Sequence, residues 1–305
     1  MILIITHKTD FTADFVVNKL NQREISYKRL NCEDIYKKNF EIKFNPDFTY
    51  SILDEKEFKS VWFRRTRLPL ITGLSKEEQV YLLTETESLF KNIFSSLDAN
   101  WVSAPSAVYE AENKVLQMKT ARKLGFTIPP TIITNSREEL KNFFKECNGD
   151  IILKPISQTK IHHNKAPAFI FTNPVPQQFI QDIEQYDLTP SIFQENVEKE
   201  YELRITVVGN DVFSAKVDSQ KDPETKSDWR KMKLRFERAE VPIEVQNMCL
   251  GLIKELRLQF GAIDMIKTPD GNYVFLEINP NGQWAWIEDQ TGHKISDSII
   301  RQLTK

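Results

Sequence analysis

Apolar positions fall in short unbroken runs near the start of the chain, in alternating runs towards its end, and at helical spacing in between. Met1 to Thr6 is continuously apolar up to its last residue, an amphipathic stretch follows from Asp10 to Asn21, and Tyr27 to Leu30 makes a second short run. This β-α-β order opens a doubly wound domain. Val61 to Phe63 predicts a further strand and Lys76 to Leu97 a long helix, completing a first unit over residues 1–105.

Pro105-Ser106 begins a second unit, expected over 106–190. Ser106 can cap a helix from Ala107 through Leu124 that stops at Gly125. Strands are expected at Thr131 to Thr134, Asp150 to Lys154 and Phe169 to Thr172, with a capped helix from Ser136 to Cys147 between the first two. From 191 to 305 the pattern is strand after strand: Ile192 to Glu195, Tyr201 to Val208 and Val212 to Asp218, then a helix from Val241 to Leu256. Two last runs, Leu256 to Ile266 and Tyr273 to Ile278, bracket the hairpin signal Pro269-Asp270-Gly271-Asn272. The expected class is α/β with α+β character.

Composition adds limits rather than detail. The 305 residues are 40% apolar and 28% charged with nine glycines, as in an ordinary folded protein. A net charge of −2 supplies no general field for nucleic acid or membrane, so neither is expected as a partner. Cys32, Cys147 and Cys249 are far apart and odd in number, which argues against a disulfide framework or structural zinc and fits a reducing cytoplasm. The first residues lack the basic lead of a signal peptide and the length of a membrane span.

Chemistry concentrates in the last hairpin. Asp264 on one run would face Glu277 and Asn279 on the next, offering hard oxygen ligands from one sheet face, which suits Mg²⁺. Two carboxylates brought together repel unless a cation lies between them; the plainer alternative is the polar face of an ordinary strand. Lys154 ends an apolar strand and Lys114 lies on the helix after Glu112-Asn113, so both can reach a polyphosphate from the opposite side. Gln194-Glu195-Asn196-Val197 can offer backbone groups to an adenine edge. Glu202 and Arg204 share a strand face, either as carboxylate for ribose and guanidinium for phosphate, or as a surface ion pair worth little. The charged segment from Lys216 to Glu240 has a solvated loop as its simple reading.

In this order, Lys114, Lys154, Gln194 to Val197, Glu202 with Arg204, Asp264, and Glu277 with Asn279 resemble the ATP-grasp superfamily of carboxylate ligases. Val61-Trp62-Phe63-Arg64-Arg65, Phe171-Thr172-Asn173-Pro174-Val175, Asp228-Trp229-Arg230 and Asn279-Pro280-Asn281-Gly282-Gln283-Trp284 narrow the likeness to the graspetide synthetases, the microviridin-type peptide macrocyclases. The resemblance implies an ATP-grasp fold with a Rossmann-like first domain, a small α+β lid and a C-terminal antiparallel sheet. It implies ATP at Lys114, Lys154, Gln194, Glu195, Asn196, Val197, Glu202 and Arg204, and two Mg²⁺ at Asp264, Glu277 and Asn279. Arg204, Lys216, Asp228 and Arg230 form the expected catalytic set, with Asp228 the candidate general base. Arg64, Arg65, Trp229 and Arg230 would contact a ribosomal precursor peptide, its leader and its acidic, Thr-rich core.

The implied reaction activates an Asp or Glu side chain as an acyl phosphate, which a Thr, Ser or Lys side chain then captures as ester or amide. A homodimer is the expected assembly. One departure is the segment Ile156 to Ala166, which lacks the glycine-rich loop of many superfamily members and carries Lys160, His162, His163 and Lys165 instead. A ligase that extends a peptide tail, and a nucleotide-binding peptide carrier without catalysis, are the two alternatives.

Overall fold

The computed structural model describes residues 1–37, 40–46, 50–156, 160–163, 166–169 and 171–305. The first unit contains β1 (Ile2–Thr6), α1 (Phe11–Gln22), β2 (Tyr27–Asn31), the small hairpin β3 (Ile42–Phe44) and β4 (Tyr50–Ile52), β5 (Ser60–Phe63), α2 (Lys76–Ser96) and β6 (Asn100–Val102). Its parallel sheet runs β2-β1-β5-β6, and every side chain of β1 is buried, which is why that segment reads as an unbroken apolar run. Asp10 caps α1 by accepting from the amides of Thr12 and Ala13, and Ser75 with Glu78 forms a capping box on α2.

A break separates the two helices that follow, α3 (Pro105–Ala111) and α4 (Lys114–Lys123). The single helix expected from Ala107 to Leu124 is therefore two. Asn113 divides them by turning its side chain onto the amides of Val115 and Leu116, so a new helix starts with Lys114 in its first turn. Nor does Ser106 cap: Ala104 holds the cap position of α3, with Pro105 as the first helical residue.

The small unit continues with β7 (Thr131–Thr134), α5 (Arg137–Glu146) capped by Ser136, β8 (Ile151–Lys154), the hairpin β9 (Lys160–His163) and β10 (Ala166–Phe169), β11 (Asn173–Pro174), α6 (Gln177–Gln181) and β12 (Ser191–Glu195). The strand expected over Phe169 to Thr172 is replaced by β10, which ends at Phe169, and by β11; residue 170 lies outside the described residues. Strand order β11-β8-β12-β7 puts β12 inside this sheet, so the small sheet extends past the expected boundary at 190 to Glu195.

The large antiparallel sheet, β15-β14-β13-β16-β17, is built from β13 (Tyr201–Val208), β14 (Asp211–Val217), β15 (Glu237–Arg238), β16 (Phe260–Lys267) and β17 (Tyr273–Asn279), with α7 (Ile243–Glu255) before the last two strands. One face carries Leu203, Ile205 and Val207 against Cys249, Leu252 and Ile253 of α7. The other face is apolar at one end, where α8 (Ala285–Thr291) and α9 (Ile295–Thr304) cover Val208, Ala215 and Ala262. At its other end that same face turns polar and opens into a cavity. Helix α9 also packs against β5 and β6, which brings the C-terminal end of the chain onto the first unit, with Ser60 donating to the Leu303 carbonyl at 2.6 Å.

Candidate active site

Strand alternation and register assemble the first wall. Arg204 on β13 lies opposite Asp264 on β16, which lies opposite Glu277 on β17, so three charged side chains form one row across the sheet. Nη1 of Arg204 lies 2.6 Å from both oxygens of Asp264, and the Asn279 amide nitrogen donates at 3.1 Å to Asp264 and at 3.1 Å to Glu277. Lys114, placed by the break before α4, donates to the second Glu277 oxygen.

The two carboxyls are pushed apart in acidity. Burial, reinforced by the Glu277 charge and opposed by Arg204, raises the pKa of Asp264. Burial works the same way on Glu277 but is outweighed by Lys114, with Lys154 and Arg230 adding to it, so that carboxyl is held well below its ordinary range. Among the described residues no group of three or more His, Cys, Asp or Glu side chains converges anywhere. Two carboxylates and a side-chain amide are instead a hard-oxygen set suited to Mg²⁺, provided Asn279 presents its Oδ1.

The small sheet makes the facing wall. Burial pushes the Lys154 ammonium down to about 8, against the pull of Glu277. Its Nζ donates to Gln194 Oε1 at 2.5 Å, and Gln194 in turn donates to Thr131 at 2.8 Å. Glu195 and Asn196 spend their backbone amides on the carbonyls of Pro130 and Asp150. Glu202 accepts from Lys199 at 3.2 Å, and Lys199 also donates to the Lys226 carbonyl at 3.0 Å.

The charged segment after β14 is a strap, not a solvated loop. Asp228 is 4% exposed and accepts from the Thr172 amide at 3.1 Å, and from the backbone, Nε and Nη2 of Arg230 at 3.0, 2.8 and 2.5 Å. Burial opposes its ionisation, yet these donors hold its carboxyl below the ordinary value, and the bond to Asp228 in turn raises the pKa of Arg230. Both oxygens already accept, so to act as the general base Asp228 would first have to release one of these donors. It pins the strap to the small unit. Trp229 is anchored at 5.0 Å from Phe236 and 5.6 Å from Trp286, ring centre to ring centre.

All the expected site residues except Arg64 and Lys216 line one cavity of about 440 Å³. Lys216 pairs with Leu203, so it stands on the opposite face of the sheet from Arg204, its ammonium 5.5 Å from the centre of the Tyr201 ring. Arg64 is 1% exposed; its guanidinium faces Asp10 at 3.5 Å and the Trp62 ring, and burial pulls its pKa to about 10. Neither is available to a ligand in the cavity. Arg65, by contrast, is exposed and donates to the Asn281 carbonyl at 3.1 and 3.3 Å.

Sequence reasoning missed Gln117, Lys199 and Trp286, which also line the cavity. Lys199 could have been found three residues before Glu202. Gln117 and Trp286 carry no such local signal.

A family model described as the RimK-like ATP-grasp domain matches residues 111–303, and one described as the MvdD pre-ATP-grasp domain matches residues 1–109. The chain belongs to the RimK-like ATP-grasp family. A RiPP-associated ATP-grasp ligase from Chryseobacterium gregarium, solved with ADP and a leader and core peptide, is 31% identical with a TM-score of 0.90, covering 99% of this chain and 96% of that one. Macrocyclase MdnC of Microcystis aeruginosa MRC, solved with precursor peptide MdnA, is 30% identical with a TM-score of 0.89, covering 100% and 99%. Among curated proteins, the alpha-aminoadipate–LysW ligase LysX of Sulfurisphaera tokodaii is 20% identical over 220 residues, 69% of this chain and 74% of that protein. The protein is an ATP-grasp ligase.

Proposed function

We propose that this ligase modifies a ribosomally made precursor peptide by closing side-chain rings. The observation that carries the reading is the row Arg204, Asp264, Glu277 facing Lys154 across a single cavity, in a chain alike over its full length to ligases solved with peptides. Lys154 and Lys114 neutralise the phosphates, Glu202 takes the ribose hydroxyls, and the Gln194 to Val197 strand reads adenine. The amides of Glu195 and Asn196 being taken, Val197 is the first backbone donor left for the base.

Asp264, Glu277 and Asn279 would hold two Mg²⁺, which when bound neutralise charge on the triphosphate. An Asp or Glu carboxylate of the peptide attacks the γ-phosphorus, ADP departs, and a Thr or Ser hydroxyl or a Lys amine displaces phosphate to give the ester or amide. Arg204 stabilises charge on the transferred group. Arg65, Trp229 and Arg230, all on the cavity wall, hold the peptide core, and confinement of both reacting side chains supplies much of the rate. We assign the reaction to the cytoplasm and the working form to a homodimer, with units dividing near residues 105 and 190 except for β12.

Incubation with ATP, Mg²⁺ and a cognate precursor tests this by mass: each ring removes one water. A gain in peptide mass would instead identify a tail-extending ligase, the reading that the LysX likeness favours. ATP binding without peptide-dependent ADP release would identify a carrier.

A further inference from the structure

β17 is the outer strand of the large sheet, and an outer strand leaves alternate backbone groups without a neighbour. Glu277 and Asn279 flank one such position, Ile278. Gln117 of α4 fills it: Gln117 Oε1 accepts from the Ile278 amide at 3.1 Å while its Nε2 donates to the Ile278 carbonyl at 2.9 Å. The remaining Nε2 hydrogen goes to the Ala111 carbonyl at 2.7 Å, so the carboxamide is fully engaged, and Gln117 is 1% exposed. Turned over, it would set donor against donor.

We propose that Gln117 is a positioning residue for the cation site, a side chain acting as the missing neighbour strand. By fixing the peptide units on both sides of Ile278 it aims Glu277 and Asn279 to the same side as Asp264. Lys114, one turn earlier on the same helix, holds the Glu277 carboxylate, so α4 grips this strand by backbone and by side chain together. Farther along the edge the Thr127 carbonyl accepts from the Phe275 amide at 2.9 Å, which leaves the Ile278 contact as the one beside the oxygen donors. Outer-shell partners of metal ligands act in this way.

The inference rests on the cation and nucleotide reading above, and Mn²⁺ titrated in the presence of ADP, followed by electron paramagnetic resonance, separates the two. Wild-type protein that binds no Mn²⁺ would defeat the proposed function itself. With wild-type binding established, Gln117→Met is expected to weaken Mn²⁺ about ten-fold or more, with ADP affinity in EDTA unchanged. A folded Gln117→Met protein with wild-type Mn²⁺ affinity, whatever its melting temperature, would overturn the inference. Should that variant not fold, amide hydrogen exchange of the wild type decides: Ile278 is expected to be as protected as its ladder neighbours, and rapid exchange there would overturn the proposal.

Discussion

Lys114 donates to Glu277 across the gap between α4 and β17, so the outermost carboxylate of the row has a cationic partner of its own. Arg204 does the same for Asp264. Two partly buried carboxylates can sit side by side on neighbouring strands because each has its own positive partner, and a polyphosphate with its metal ions would enter a site whose charges are already ordered.

Glu277→Gln keeps an acceptor for Lys114 but removes the charge a divalent ion needs. The expected outcome is a loss of Mg²⁺-dependent ADP formation of about 100-fold or more, with a melting temperature close to wild type. A coupled ADP assay beside a thermal melt checks both halves.

Lys154 carries a pH dependence with a definite sign. Its ammonium loses charge as pH rises through about 8, so nucleotide affinity should fall above that pH and binding there should take up a proton. Between about 8 and 10.5 the unfolded chain holds more protons than the folded one at this residue, so its contribution to stability rises with pH across that window. Calorimetric ADP titrations in buffers of different ionisation enthalpy should show the uptake, and Lys154→Met should abolish it.

What the sequence disclosed follows from what side-chain patterns encode. The pairing of Asp264 with Glu277 was legible because two apolar runs flank a turn whose geometry leaves few registers: Gly271 adopts φ +91° and donates to the Thr268 carbonyl at 2.9 Å. The face of Lys216 was not, because it depends on the pairing across β13 and β14, and a shift of one residue reverses it. Residue type alone also cannot separate Arg64 from Arg65. They are adjacent in a segment leaving a parallel sheet, and one turns in to Asp10 while the other turns out to Asn281. Gln117 was invisible because its partners on β17 are backbone atoms 161 residues away.

Asp228→Asn should lower turnover while leaving the acid limb of the pH–rate profile where it is in wild type. The strap loses part of its tie to Thr172 and Arg230, but no proton acceptor is lost. A profile whose acid limb disappears would assign the base to Asp228.

Arg64 and Arg65 should separate cleanly. Arg64→Ala leaves Asp10 buried without its cation and should cost about 3 kcal/mol of stability, read by urea unfolding. Arg65→Ala should leave stability nearly unchanged and raise KM for the peptide more than KM for ATP.

The oxygen donors on β17 follow a bulge: Asp264 pairs with Glu277 but Met265 pairs with Phe275, which leaves Leu276 as one residue more than the neighbouring strand has. That extra residue is what lets Phe275 and Ile278, three apart, both enter the core while Glu277 and Asn279 keep the cavity side. A one-residue deletion on the regular part of the strand between Glu277 and Asn279 would exchange oil for oxygen, whereas loss of Leu276 would leave both faces as they are.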